Sequence, residues 1–204
     1  MPDPNLSEAI REAYASSPSG VVTLHTLELL HPNFDAPVRV VRNHADTKTW
    51  LALGGAAVQS VLDALDEKTR RNIGLVARLE ASAPENPGEM VAWVALAFDV
   101  DLPEVATSAA PEATVTIDNV DQEITRQLDL AATSTEKIRM IYRPYISSDI
   151  EGPQADPPMV LTVGDVTVTD MQVSGNAGVS DVGNRAFPNE TYTATRFPAL
   201  AASQ

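Results

Sequence analysis

The sequence predicts a β-dominated α+β fold: an antiparallel β-barrel or sandwich with a buttressing helix, an N-terminal helix and an inserted helix–hairpin segment. Three observations lead there. Period-two apolar alternation, the pattern of a half-buried strand, recurs along most of the chain. The elements run helix, hairpin, helix and hairpin, strand–helix, then strands, which is not the regular alternation of a doubly wound sheet. Finally, residues 112–124, EATVTIDNVDQEI, change period at their middle. Ala113, Val115 and Ile117 alternate with Thr114 and Thr116, whereas Val120, Ile124 and Leu128 recur every fourth residue and share a helix face. Asp118 and Asn119 stand at the switch, where a short side-chain oxygen caps the free N–H groups of a helix start. Asp121 and Glu123 fall in the first turn, the end that favours negative charge.

Taken in order, residues 5–14 read as a short amphipathic helix with Leu6, Ile10 and Tyr14 on one face and Asn5 or Ser7 as cap. SSPSG at 16–20 breaks it. Residues 21–30, VVTLHTLELL, form a strand ended by His31-Pro32, and 37–42 a shorter one. The tight connection at 33–36 makes them a hairpin. Gly54-Gly55 opens a segment in which Val58, Val61, Leu62 and Leu65 follow helical spacing, closed by the polar run 66–72. Residues 73–79 alternate, 83–88 (APENPG) turn, and 90–100 (MVAWVALAFDV) form an apolar strand that can pair back across the turn. A loop at 101–111 leads to the strand–helix unit, which ends near Ala131-Ala132. From Lys137, Ile138, Met140 and Tyr142 alternate with Arg139, Ile141 and Arg143. After the polar loop 147–158, strands at 159–163 and 166–173 join at Gly164-Asp165. The remainder from Ser174 is turn-rich, with one extended piece at 191–196. Residues 1–50 and 90–204 thus make a β-rich core, and 51–89 an inserted helix plus hairpin.

Composition narrows the function classes. Fourteen Lys and Arg against 28 Asp and Glu give a net charge of −14. That balance argues against neutralising nucleic-acid phosphates and against docking on an anionic membrane. With no cysteine there is no disulfide, thiolate nucleophile or zinc–thiolate site. The opening MPDPNLSEAIREAY has no basic start followed by an apolar run, so no secretory signal is expected. Apolar runs fall short of the roughly 20 residues that span a bilayer. The expectation is a protein made in the cytoplasm and used or assembled there.

Candidate chemistry is sparse. His25 and His31 sit across a strand end at a poor metal-ligand spacing, and His44 stands apart, so surface or turn roles fit them better. Asp118, Asp121 and Glu123 lack the glycine and terminal glutamate of a calcium loop, and helix capping accounts for them. Asp99, Asp101 and Glu104 offer paired carboxylates for glycoside hydrolysis, against the simpler reading of a solvated strand end. Gly54-Gly55 lacks the lysine of a phosphate loop, and no serine stands in a nucleophile elbow. Trp50, Trp93 and Tyr142/Tyr145 offer a sugar-stacking platform, against core or interface packing. No residue is assigned a catalytic, metal or cofactor role.

TVTIDNVDQEI at 114–124 resembles the IDNVD signature of an uncharacterised family of tail proteins from long-tailed phages and prophages. Other pieces agree in order: LSEAIREAYAS (6–16), LELLHPNFDAPVRVVRNHADT (27–47), FDVDLPE (98–104), VTDMQVSG (168–175) and RFPAL (196–200). The resemblance covers 6–50 and 91–200, and residues 51–90 are longer than the family pattern. It implies a structural tail-tip or baseplate protein near the distal end of the tail tube, with no catalytic residues and no cofactor. The expected assembly is a ring of copies, trimer or hexamer, joining tube to hub in the virion. DNA passes through it without sticking, and no membrane is involved. Negative charge suits that passage, since it repels phosphate. The segment 51–89, with its apolar stripe, is expected to contact neighbouring subunits or an adjoining ring. The alternatives are a tail-associated cell-wall hydrolase, on Asp99, Asp101 and Glu104, and a carbohydrate-binding module, on Trp50 and Trp93.

Overall fold

Strand alternation sorts most of the chain between two hydrophobic clusters. The computed structural model describes residues 7, 8, 10, 12, 20–101, 112–118, 123–169 and 172–178. Among them run β1 (Thr23–Leu30), β2 (Val38–Val41), α1 (Thr47–Asp63), α2 (Glu67–Arg71), β3 (Ile73–Arg78), β4 (Met90–Ala95), β5 (Phe98–Asp101), β6 (Glu112–Asp118), α3 (Glu123–Ala131), β7 (Ile138–Ile146), β8 (Met159–Val168) and β9 (Gln172–Gly178). The fold is α+β and β-dominated. All nine strands join one sheet in the order β3-β4-β2-β1-β7-β8-β9-β6-β5.

Two features refine the antiparallel barrel or sandwich expected. The sheet is mixed, because β2 and β4 run parallel. It is also not closed into a barrel, since no ladder joins its end strands β3 and β5. It is nevertheless coiled. β4 and β5 are separated by Leu96 and Ala97 alone, yet β4 pairs with β2 and β5 with β6 on the far side of the order. Leu96 N–H donates to Val41 O at 3.1 Å and Asp118 N–H to Ala97 O at 2.9 Å, so this short step holds both ends of the sheet together. The expected continuous strand at 90–100 is therefore two strands.

The coil encloses one cluster. Leu27, Leu29, Val40, Met140, Leu161 and Val173 alternate into it, and so do Ala113, Val115 and Ile117 of β6. Ile124, Leu128 and Ala131 of α3 pack onto it at helical spacing. The other face carries the second cluster, in which α1 places Trp50, Val58 and Leu62 against Leu24, Val41, Tyr145 and the strands β3 and β4. Ile73, Leu75, Val76 and Ala77 are all buried, so β3 is covered on both faces and reads as an apolar run. The expected β3–β4 hairpin forms across the 83–88 turn. As an end strand β3 is also shielded: Trp50 Nε1 and Asn43 Nδ2 both donate to Gly74 O at 2.9 Å, and Arg78 N–H donates to Ile150 O at 2.8 Å.

Local chemistry accounts for the remaining differences. The helix begins before its stripe, at Thr47, because Asp46 caps it by accepting from Lys48 and Thr49 N–H at 3.1 Å each. Gly54-Gly55 is a kink inside that helix, with Gly55 at φ 52°, ψ −125°. The polar run after it forms α2, capped by Asp66 accepting from Thr69 N–H at 3.0 Å. Gly164-Asp165 is not a turn: Asp165 takes φ 34° and the β8–β9 register shifts between Gly164 and Thr167, so the strand continues through a bulge. The supposedly turn-rich 174–178 is strand, paired with β6 along its whole length.

The β1–β2 hairpin forms as expected, and its turn grips α3. Asp35 N–H donates to Gln127 Oε1 at 3.1 Å, Asn33 Nδ2 to Leu130 O at 3.2 Å, and Arg126 pairs with Asp35 at 2.7 Å. Of the N-terminal helix, Ser7, Glu8, Ile10 and Glu12 are described. Ile10 is fully buried, its N–H donates to Ser7 Oγ at 3.3 Å, and Ser7 N–H donates to Gln154 O at 2.8 Å. Leu6 and Tyr14, the cap candidate Asn119, Val120 and Asp121 after it, the 102–111 loop and the extended piece at 191–196 lie outside the described residues.

Candidate functional site

The most concentrated polar chemistry is buried. Glu28 and Arg39 are cross-strand partners in the β1–β2 ladder, and Arg143 comes up from β7 on the same face. Arg143 Nη1 donates to Glu28 Oε2 at 2.7 Å, while its Nε and Nη2 donate to both oxygens of Glu80 at 2.8 Å. Arg39 Nε donates to Glu28 Oε1 at 2.7 Å and its Nη2 to Asn86 Oδ1 at 2.9 Å. The side chains of Glu28 and Arg143 are 0% exposed and that of Glu80 10%. Burial alone would lower the Arg143 pKa; the hydrogen bonds to Glu80 and the charge of Glu28 outweigh it and hold the guanidinium above its ordinary value. Two carboxylates facing two guanidiniums are formally neutral. The network therefore pins the 80–86 turn of the inserted segment to β1, β2 and β7, and presents no free group to a substrate. Beside it, burial pushes the Tyr145 hydroxyl well above its ordinary range, and that hydroxyl donates to Arg78 O at 2.9 Å.

The open surface features lie where pairing stops. The β2–β4 ladder spans only Val40 with Val94 and Val41 with Ala95. Before that point the strands part around a groove of about 640 Å³, walled by Pro37, Val61, Leu65, Ala92 and Val94. It adjoins a hollow of about 250 Å³ reaching Lys68, Asn72, Asp118 and Ile124. The β7–β8 ladder likewise ends at Val163; beyond it, among the described strands, only β9 pairs with β8, at Gly164, Thr167 and Val168. On β8, Val160, Val166 and Val168 are 42%, 37% and 42% exposed.

The sequence candidates are scattered. His25 Nδ1 lies 2.6 Å from the Tyr142 hydroxyl and the rings stack. His31 Nδ1 accepts from Asn33 N–H at 3.0 Å, so its Nε2 carries the proton donated to Glu136 O at 3.2 Å. His44 lies just ahead of the Asp46 cap. Among the described residues no three His, Asp or Glu side chains are grouped to hold a metal. Asp99 pairs with Arg42 at 3.5 Å on the surface; the Asp101 side chain, Glu104 and Asp121 lie outside the described residues, as does the Glu123 side chain. Trp50 and Trp93 are 2% and 0% exposed, and Tyr145 is buried, so the proposed stacking platform is core instead. No glycine-rich loop survives either, since Gly54-Gly55 is the helix kink. Sequence reading missed the ion network. Its signal was a carboxylate, Glu28, and a guanidinium, Arg143, each flanked by apolar residues inside a strand.

The family described as Domain of unknown function (DUF1833) matches residues 9–192. No curated protein and no solved structure matches the chain.

Proposed function

We propose that this chain, which belongs to the DUF1833 family, is a structural subunit of a phage tail tip or baseplate, part of a ring that joins the tail tube to the hub around the DNA channel. One observation carries the reading. The segments that resemble tail proteins are neighbours in space: FDVD is β5, TVTID is β6 and QVSG opens β9, and these three strands are consecutive in the sheet. LELL and VRVV, in β1 and β2, and the helix after the signature line the same enclosed cluster. A resemblance that maps onto one packed core is a resemblance of fold, which scattered matches would not be.

The physics of the role is consistent with this. A net charge of −14 keeps a lumen from holding DNA. Partners are further copies, in a trimer or hexamer, and the tube and hub proteins; the ring assembles in the host cytoplasm and ends in the virion. The inserted segment 51–89 supplies one wall of the open groove and is the face proposed to meet a neighbour. Negative-stain imaging of purified virions with an antibody to this chain tests the location. Label at the distal end of the tail is expected; label on the capsid, or none, ends the proposal.

A further inference from the structure

We infer that the groove between β2 and β4 receives the β8 edge at residues 164–168, which β7 leaves unpaired, of a second copy of this chain. Both halves of the contact are interrupted ladders. On the receiving side, residues 37–39 and 90–93 flank the groove with no ladder between them. On the donating side, 164–168 have β9 on one edge and, among the described residues, no strand on the other. An extended segment entering beside β2 would take up strand pairing where it lapses.

Side chains match as well. The donor is GDVTV, in which Val168 is exposed while Val166, partly exposed, also lines a hollow of the enclosed cluster, and the apolar part of the groove wall is Pro37, Val61, Leu65, Ala92 and Val94. The donor's single charge is Asp165, and Lys68 lines the adjoining hollow. The groove's own charges are already engaged, Arg39 with Glu28 and Asn86 and Glu89 with Asn86, so the contact sets little unpaired charge between two chains of −14. Donor and acceptor are different surfaces, separated in the sheet by β1 and β7, so the contact is head-to-tail and repeats into a ring or filament. It rests on the ring reading for its place in a virion, but the contact is tested without one.

Sedimentation velocity of the purified full chain tests it. The wild type should associate with rising concentration, and more so at higher ionic strength, because screening weakens repulsion between the acidic copies. Val168→Lys removes the donor and Ala64→Trp fills the acceptor groove. Each alone should sediment as a monomer; mixed in equal amounts they should form a heterodimer and stop, since one intact donor and one intact acceptor remain. Circular dichroism checks folding, and Thr167→Lys replaces Val168→Lys if that variant does not fold. A wild type that stays monomeric at every concentration, variants that associate like the wild type, or a mixture that stays monomeric each overturns the inference. Association without tail label would instead refute the location and leave the contact standing.

Discussion

Replacing Arg143 with Met is expected to be the most damaging single change away from the hydrophobic clusters. The substitution removes three charge-assisted hydrogen bonds of 2.7 to 2.8 Å from a side chain with no exposure. Glu28 keeps Arg39, but Glu80 loses both guanidinium donors while staying nine-tenths covered. Breaking a buried pair from one side costs about 3–5 kcal/mol, most of it the orphaned charge. That is a large share of the roughly 5–15 kcal/mol that holds a typical domain together. Urea unfolding followed by fluorescence reads it directly, since Trp50 and Trp93 are both buried. Adding Glu80→Gln to Arg143→Met should return part of the loss, because the orphan is then neutral. A cost below about 1 kcal/mol for Arg143→Met, the range of an exposed pair, would refute the buried-network reasoning.

Three further outcomes follow from local geometry. Gly55→Ala should destabilise by about 1–3 kcal/mol, because φ 52°, ψ −125° suits glycine alone; stabilisation, the usual result of Gly→Ala inside a regular helix, would show that the kink is absent. Ile117→Ala in the signature strand should cost about 2–5 kcal/mol as a core truncation, while Thr116→Ala on the opposite face stays within about 0.5 kcal/mol by the same denaturation assay. Burial, and then the charge of Arg42, hold the His25 pKa below its ordinary value. The folded state thus prefers neutral His25, so its contribution is complete above the unfolded histidine value and is lost as pH falls from there through the lower folded value. Melting temperatures between about pH 7 and 5 should fall more steeply for the wild type than for His25→Gln, and parallel slopes would contradict the assignment.

What the sequence disclosed was local. Period two in 21–30 and 138–142, period 3.6 around Val58 and Leu62, and the change of period at Asp118 each report one element's own burial. The α+β class followed from their order. Elements that depend on partners were hidden. Gly164-Asp165 has turn chemistry, but only pairing with β9 makes it a bulge. SGNAG at 174–178 looks like loop because its residues are small; Gly175 is small because a side chain there would press on Val163. The break at Leu96-Ala97 has no local cause in an apolar run, and arises because the chain passes from β2 to β6 as its neighbour. The parallel β2–β4 pair, the groove beside it and the Glu28–Arg143–Glu80 network all join residues far apart in sequence. The tryptophans were legible as candidates, but their burial was decided by α1 and β4 packing together.

A cryo-EM map of the intact tail tests the central claim most directly. The account predicts a closed ring of three or six copies of this chain at the junction of tube and hub, with a neighbour's β8 edge seated between β2 and β4. A junction built wholly from other chains would contradict it.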